Sequence, residues 1–353
     1  MIDSAAESPV QNSQPAGIGR VAPLDEGCAW NNLGRNVVFA DRSLHPRAVF
    51  ADTDFPSDDE TSQFDLDIHA IVDLGADGRV AVLNHLGIVR TFAPWESSRT
   101  ERESTPRLTP LNRLDFIADL ERITTLGDRL ITSRPRGDRL GGVLVSAPVF
   151  SANDRLEADA TQESFGFVTA LAAGSSVDIG GWVALGGEGR VRLVSADRGR
   201  LGETRWERDL EFLAAVIVQS GTTLWVAGSA SGGTDLDDYD WEQLRGGGVV
   251  QLDLATADVI SSASFGHELG WGSGGVPLVV AHGIPCGVGR HGDVSALGAE
   301  EDVLTPVTDR LTSHSLGIAH AAIVGEQIVY GFNRGGYELH TVPLSTITLS
   351  AAS

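Results

Sequence analysis

The sequence predicts an all-β protein, a single β-propeller of seven blades, and three observations carry that prediction. Short apolar runs of four to eight residues alternate with Gly, Asp and Asn turns from Val21 onward, the signature of strands rather than helices. The chain holds 42 glycines among 353 residues, about 12% against a usual ~7%, which suits a protein rich in tight turns. The same strand–turn–strand unit also recurs along the chain, and a fixed repeat of this size indicates a closed or stacked array.

Residues 1–20, rich in Ser, Ala, Pro, Gln and Asn, read as a disordered tail preceding a propeller over residues 21–353. The first unit is weak: NVVFADRSLHPRAVFADTDF within Cys28–Phe55. Ile68–Phe92 shows the unit plainly as IHAIVDLGADGRVAVLNHLGIVRTF, and Arg122–Pro148 supplies a third copy. Between them, Leu111–Leu120 is the nearest approach to a helical turn. Phe167–Ser195, Phe212–Ala255, Val276–Val307 and Ile318–Leu344 complete the series. The turn before the third strand falls at Pro46, Gly87, Gly142, Gly189, Gly248, Gly292 and Gly336. These positions are roughly 41 to 59 residues apart, near the blade repeat of propellers. The longer gaps hold insertions at 95–113 and 233–247.

Two of these segments support a resemblance. GGEGRVRLVSADRGRLGE (Gly186–Glu203) and GGGVVQLDLATADVIS (Gly246–Ser261) resemble the inner hairpins of WD40-like and quinoprotein-like propellers. The Gly-His and Trp-Asp dipeptides of true WD40 repeats are missing at their expected places. The resemblance implies the fold; such propellers host scaffolds, lactonases, lyases, dioxygenases and redox enzymes alike.

Charge and composition exclude several functions. The net charge is −22, which repels phosphate backbones and anionic membranes, so neither nucleic acid nor membrane is an expected partner. All 26 basic residues are Arg; without Lys there is no Schiff-base chemistry and no P-loop lysine. Cys28 and Cys286 are the two cysteines and make no disulfide framework. The amino-terminal residues lack a basic n-region and an apolar h-region, and no 18-residue apolar run occurs. A soluble, cytoplasmic protein is expected.

Chemistry is expected at the channel mouth, where the first strand of each blade begins. Aligning the units places Glu26, His69, Glu121 and His320 there, contributed by blades 1, 2, 3 and 7, with Phe167, Leu213 and Gly275 forming an apolar half-ring. Two His with carboxylates suit Zn²⁺, Fe²⁺ or Mn²⁺, and a metal-bound water could attack a lactone or ester. The preferred reading of the same residues is the plain polar lining of a wet channel mouth. DEGCAW around Glu26 resembles the opening EGPxW segment of gluconolactonase-like propellers, where the Glu is a metal ligand. Cys28 stands in place of the Pro, and the later Asn and Asp ligands of that family are not found.

Other clusters read differently. His282, Cys286, His291 and Asp293 lie on a second strand and its turns, away from the axis, and read as structural. Gly287-x-Gly289-x-x-Gly292 matches a dinucleotide fingerprint in form, but no helix pattern follows. The acidic segment 235–242 could hold Ca²⁺, although an exposed loop offering Tyr239 and Trp241 to a protein partner is the preferred reading. No G-x-S-x-G or HExxH occurs. Two functions remain: a scaffold or accessory subunit that docks a protein through its inserted loops, and a metal-dependent hydrolase or lyase acting on a small molecule at the channel mouth.

Overall fold

Within each blade a strand of alternating apolar residues pairs antiparallel with the next one in the chain, as short turns favour. The computed structural model describes residues 18–32, 36–51, 68–74, 78–84, 88–95, 112–115, 122–127, 129–135, 142–148, 159–163, 166, 168–187, 189–230, 247–265, 277–289, 291–297, 303–313, 318–332 and 338–351. Blade 1 is β1 (Ile18–Leu24), β2 (Gly27–Asn32), β3 (Asn36–Asp41) and β4 (Pro46–Ala51). Blade 2 is β5 (Ile68–Asp73), β6 (Val80–Asn84), β7 (Ile88–Phe92) and β8 (Asn112–Asp115). Blade 3 is β9 (Arg122–Leu126), β10 (Arg129–Pro135), β11 (Gly142–Pro148) and β12 (Asp159–Glu163). Blade 4 is β13 (Ala170–Ser176), β14 (Gly180–Gly187), β15 (Arg190–Ser195) and β16 (Thr204–Asp209).

Blade 5 comprises β17 (Phe212–Ser220), β18 (Thr223–Ala230), β19 (Gly247–Asp253) and β20 (Val259–Phe265). Blade 6 comprises β21 (Leu278–Ala281), β22 (Ile284–Val288), β23 (Val294–Leu297) and β24 (Val303–Pro306). These two are fused into one eight-stranded sheet, because β20 pairs parallel to β24 through Ser264↔Val303 and Phe265↔Leu304. Among the described residues blade 7 has three strands, β25 (Ile318–Val324), β26 (Gln327–Phe332) and β27 (Leu339–Pro343), followed by helix α1 (Leu344–Ala351).

The first strands pack in a ring, β1 on β5, β5 on β9, and so on through β25, which returns to β1. This closed ring of antiparallel meanders is a β-propeller, and it has the all-β architecture read from the sequence. The core is divided among the seams between blades. A strand shows alternate residues to its two neighbours, so in β18 Leu224 and Val226 pack toward blade 4 while Trp225 and Ala227 pack toward blade 6. Each seam carries its own apolar cluster; the one closing the ring joins Val21, Cys28 and Trp30 to Ala322, Val324 and Val329. Trp206 ties blade 4 to blade 5 more directly, its indole N–H donating to the Leu254 carbonyl at 2.9 Å.

Two details differ from the sequence reading. The first strand starts at Ile18, and IGRVAPL rather than the segment around Glu26 is the inner strand of blade 1. Pro46 therefore opens a fourth strand, whereas each of the other six marked turns adjoins a third strand. A Gly and a Pro dilute the apolar pattern of IGRVAPL, which conceals it. The expected helical turn at 111–120 is also corrected: Asn112–Asp115 is β8, held by antiparallel pairing to β7. Among the described residues, no helix is long and apolar enough to cross a membrane.

Candidate functional site at the central channel

The first strands enclose a cavity of about 330 Å³ on the propeller axis, to which all seven blades contribute. Ala22, Ile71 and Ile123 line it on one side, and Leu171, Ile217 and Leu278 on the other. Among the described lining residues, aliphatic side chains predominate, with Thr169 and His320 the polar ones. His320 is the one ionisable side chain among the described lining residues. Thr169 also lines the cavity, and its hydroxyl donates to the Ala214 carbonyl of blade 5.

Adjacent inner strands run in the same direction. The Asp25 amide, just past the end of β1, donates to Asp73 Oδ2 at the end of β5, at 2.6 Å. Near their beginnings, four inner strands carry an irregularity in register against the second strand. These lie between Ile18 and Arg20, Ile68 and Ala70, Ala214 and Val216, and Ile318 and Ala321. A bulge of this kind inserts one residue and re-aims the local side chains. His69 is the residue inserted in blade 2, and His320 lies within the irregular stretch of blade 7. The two strands bearing them flank β1, whose corresponding residue is Gly19.

Glu26 does not join that pair. It sits exposed in the turn between β1 and β2, about 20 Å along the strand from Gly19 at ~3.3 Å per residue. The physical reason is the shift of one whole strand in blade 1: the segment read as first strand is the hairpin turn and second strand. Glu121, Phe167 and Gly275 lie outside the described residues, as do Tyr239, Trp241 and the entire 235–242 segment. Leu213 is the second residue of β17.

The His/Cys cluster of blade 6 does not converge. His282 is in the turn between β21 and β22, while His291 and Asp293 are beyond the other end of β22. Cys286 is buried on β22 between them. Desolvation by burial pushes the thiols of Cys286 and Cys28 up to about 12, which keeps both protonated and poorly nucleophilic. Burial likewise pushes the Tyr330 phenol up to about 12, with Asp293 adding to it; its hydroxyl donates to the Gly292 carbonyl at 2.7 Å. Among the described residues, no three His, Cys, Asp or Glu are placed to hold a metal ion.

A second hollow, of about 600 Å³, opens between blades 4 and 5, lined by Arg208, Asp209, Glu211, Ser262 and Ser264. Its floor includes Gly247 and Gly248; a Cβ on Gly248 would come within 2.9 Å of the Phe212 ring. The sequence signal for it was the triple glycine 246–248, which reads as an ordinary turn.

The two inserted segments leave the disc at opposite faces. Residues 95–113 span the connection from a third strand, β7, into the start of a fourth, β8; residues 233–247 span that from a second strand, β18, to the first residue of a third, β19. In an antiparallel meander successive connections alternate between ends, so these two connections start at opposite faces of the disc.

No family model matches the chain, and no curated protein matches it. Solved structures do. The Pan2 WD40 domain of Neurospora crassa is similar with a TM-score of 0.60 at 12% identity, over 92% of this chain and 89% of that one. The WD40 β-propeller domain of Doa1 is similar with a TM-score of 0.55 at 11% identity, over 90% of each chain. At such identities the likeness is one of fold.

Proposed function

We propose that this chain is a protein-interaction scaffold or accessory subunit, acting in the cytoplasm, that presents its inserted segments to protein partners. The observation that supports the reading is a disc whose seams are packed by buried apolar clusters. A rigid platform of this kind offers loops at low conformational cost. The likeness to WD40 domains favours the same class of function at a coarse level. Because the insertions leave opposite faces, 95–113 and 233–247 serve two separate contacts, with Tyr239 and Trp241 the aromatic anchors of the second. The test is reconstitution of a complex from two purified components, followed by replacement of 233–247 with a short Gly-Ser hairpin. Loss of one partner while the fold is retained supports the proposal. A chain that forms no stoichiometric complex refutes it.

The second reading is a metal-dependent hydrolase or lyase at the channel mouth. Its support is reduced to His69 and His320, on the inner strands either side of blade 1. Elemental analysis of purified protein tests it. Stoichiometric Zn, Fe or Mn that disappears in His69→Ala/His320→Ala favours this reading over the scaffold, and metal content unaffected by those changes removes it.

A further inference from the structure

The axial cavity of about 330 Å³ is walled by the first strand of every blade or the residue just before it. Ile123, Leu171, Val216 and Val218 are only half-buried although they lie on innermost strands, and all four line this space. The wall is also poor in charge: the described lining residues include no Asp, Glu or Arg. A charged guest would give up its hydration with His320 alone to offset the loss. Water fits little better. At ~30 Å³ per molecule the volume holds about eleven waters, and the aliphatic side chains offer them no hydrogen bonds, so their replacement by carbon is favourable. Thr169 stands immediately before β13 and His320 is third in β25, whereas Pro23 and Val218 lie toward the far ends of β1 and β17. Because the first strands run in one direction, both polar side chains belong to one end of the cavity. Each first strand is a terminal strand of its sheet, so its inner edge turns backbone N–H and C=O groups toward the axis.

We infer that this cavity binds one small neutral organic molecule, an apolar body of about ten non-hydrogen atoms at ~30 Å³ each, with a hydroxyl or carbonyl group turned to the Thr169 and His320 end. The inference goes beyond the scaffold reading and calls for no metal. Buried clusters on either side hold the first strands in place, so the cavity is formed before the ligand arrives and little ordering opposes binding. Affinity comes from apolar area removed from water. The polar end and the strand edges fix the orientation of the ligand. An ionised analogue of the same size loses hydration that this wall does not replace.

The probe is n-octanol, a neutral chain of matching size, titrated calorimetrically into the full-length protein beside octanoate and n-octylamine near neutral pH. The alcohol is expected to bind one-to-one, with both ionised analogues at least tenfold weaker. Amide hydrogen exchange locates the site: added octanol is expected to slow exchange in the first strands, β5, β17 and β25 among them. Val218→Trp, which places a ring in the cavity from a half-buried position, is expected to weaken octanol at least tenfold, while Val218→Ala retains it. A urea midpoint for each variant separates occlusion from unfolding. No saturable binding, or an ionised analogue bound as tightly as the alcohol, overturns the inference. So does protection that falls outside the first strands, or an affinity unmoved in a folded Val218→Trp chain.

Discussion

Gly228 and Gly221 sit on one hairpin and should respond to the same substitution very differently. Gly228 on β18 faces the register irregularity of β17, where Ala214 and Val216 pair with successive residues of β18. A Cβ at 228 would fall inside the Leu213 carbonyl oxygen, 2.6 Å from its carbon and 3.0 Å from the Phe212 ring. An ordinary contact is about 3.4 Å, and backbone cannot rotate aside, so Gly228→Ala must drive β17 outward. Overpacking costs roughly 1–3 kcal/mol, and a displaced strand loses one or two ladder hydrogen bonds at about 1 kcal/mol each. The sum is about 2–5 kcal/mol. Gly221 has φ of +58° with nothing within 4 Å of its would-be Cβ, so Gly221→Ala carries only the left-handed penalty, about 1 kcal/mol. Urea unfolding followed by tryptophan fluorescence reads both, since Trp225 lies on the same strand. Midpoints for the two variants within ~0.5 kcal/mol of each other, at an unchanged m-value, would refute the reasoning.

Three other outcomes are expected. Trp206→Phe removes the donor to the Leu254 carbonyl and should cost about 1 kcal/mol for that bond alone; a urea midpoint equal to the parent's argues against a seam contact. Cys28 and Cys286, with thiols pushed up to about 12, should resist a disulfide reagent at pH 8 in the native chain and both react in denaturant; rapid native labelling contradicts their burial. Burial raises the Asp41 carboxyl, but hydrogen bonds from the His45 amide, the Arg47 guanidinium and the Ser43 amide outweigh it and hold the group below its ordinary value. A depressed carboxyl stabilises above its unfolded value, near ~3.9, and that contribution is lost as pH falls through the folded value. Asp41→Asn should therefore flatten the acid limb of a stability–pH profile below about pH 4, and an unchanged limb counts against the pairing.

Of the four residues read at the channel mouth, the strand positions of three are described, and one of them is displaced. His69 and His320 were read at the starts of the first strands of their blades, and both are there. Glu26 was read at the same level and lies at the far end. The error is one of phase. In blades 2 and 7 a strong apolar run marks the inner strand, whereas IGRVAPL is interrupted by Gly19 and Pro23, so the count of strands began one late. The His282–Asp293 segment was read as structural, and β22 does hold its two ends apart.

What the sequence determined by itself was the alternation of strand and turn and the spacing of the repeat, because side-chain period and turn chemistry are local properties of a few consecutive residues. It also set which residues can enter the seams, through alternate apolar positions such as Leu224 and Val226 against Trp225 and Ala227. The tertiary structure decided which strand of a unit is innermost, since first, second and fourth strands share one local pattern and differ only in their neighbours around the ring. It decided that β20 and β24 join two blades, which depends on two outer edges remote in sequence coming within hydrogen-bond reach. It decided, too, that β25 closes the ring against β1, a contact between the two ends of the described chain that no local pattern carries.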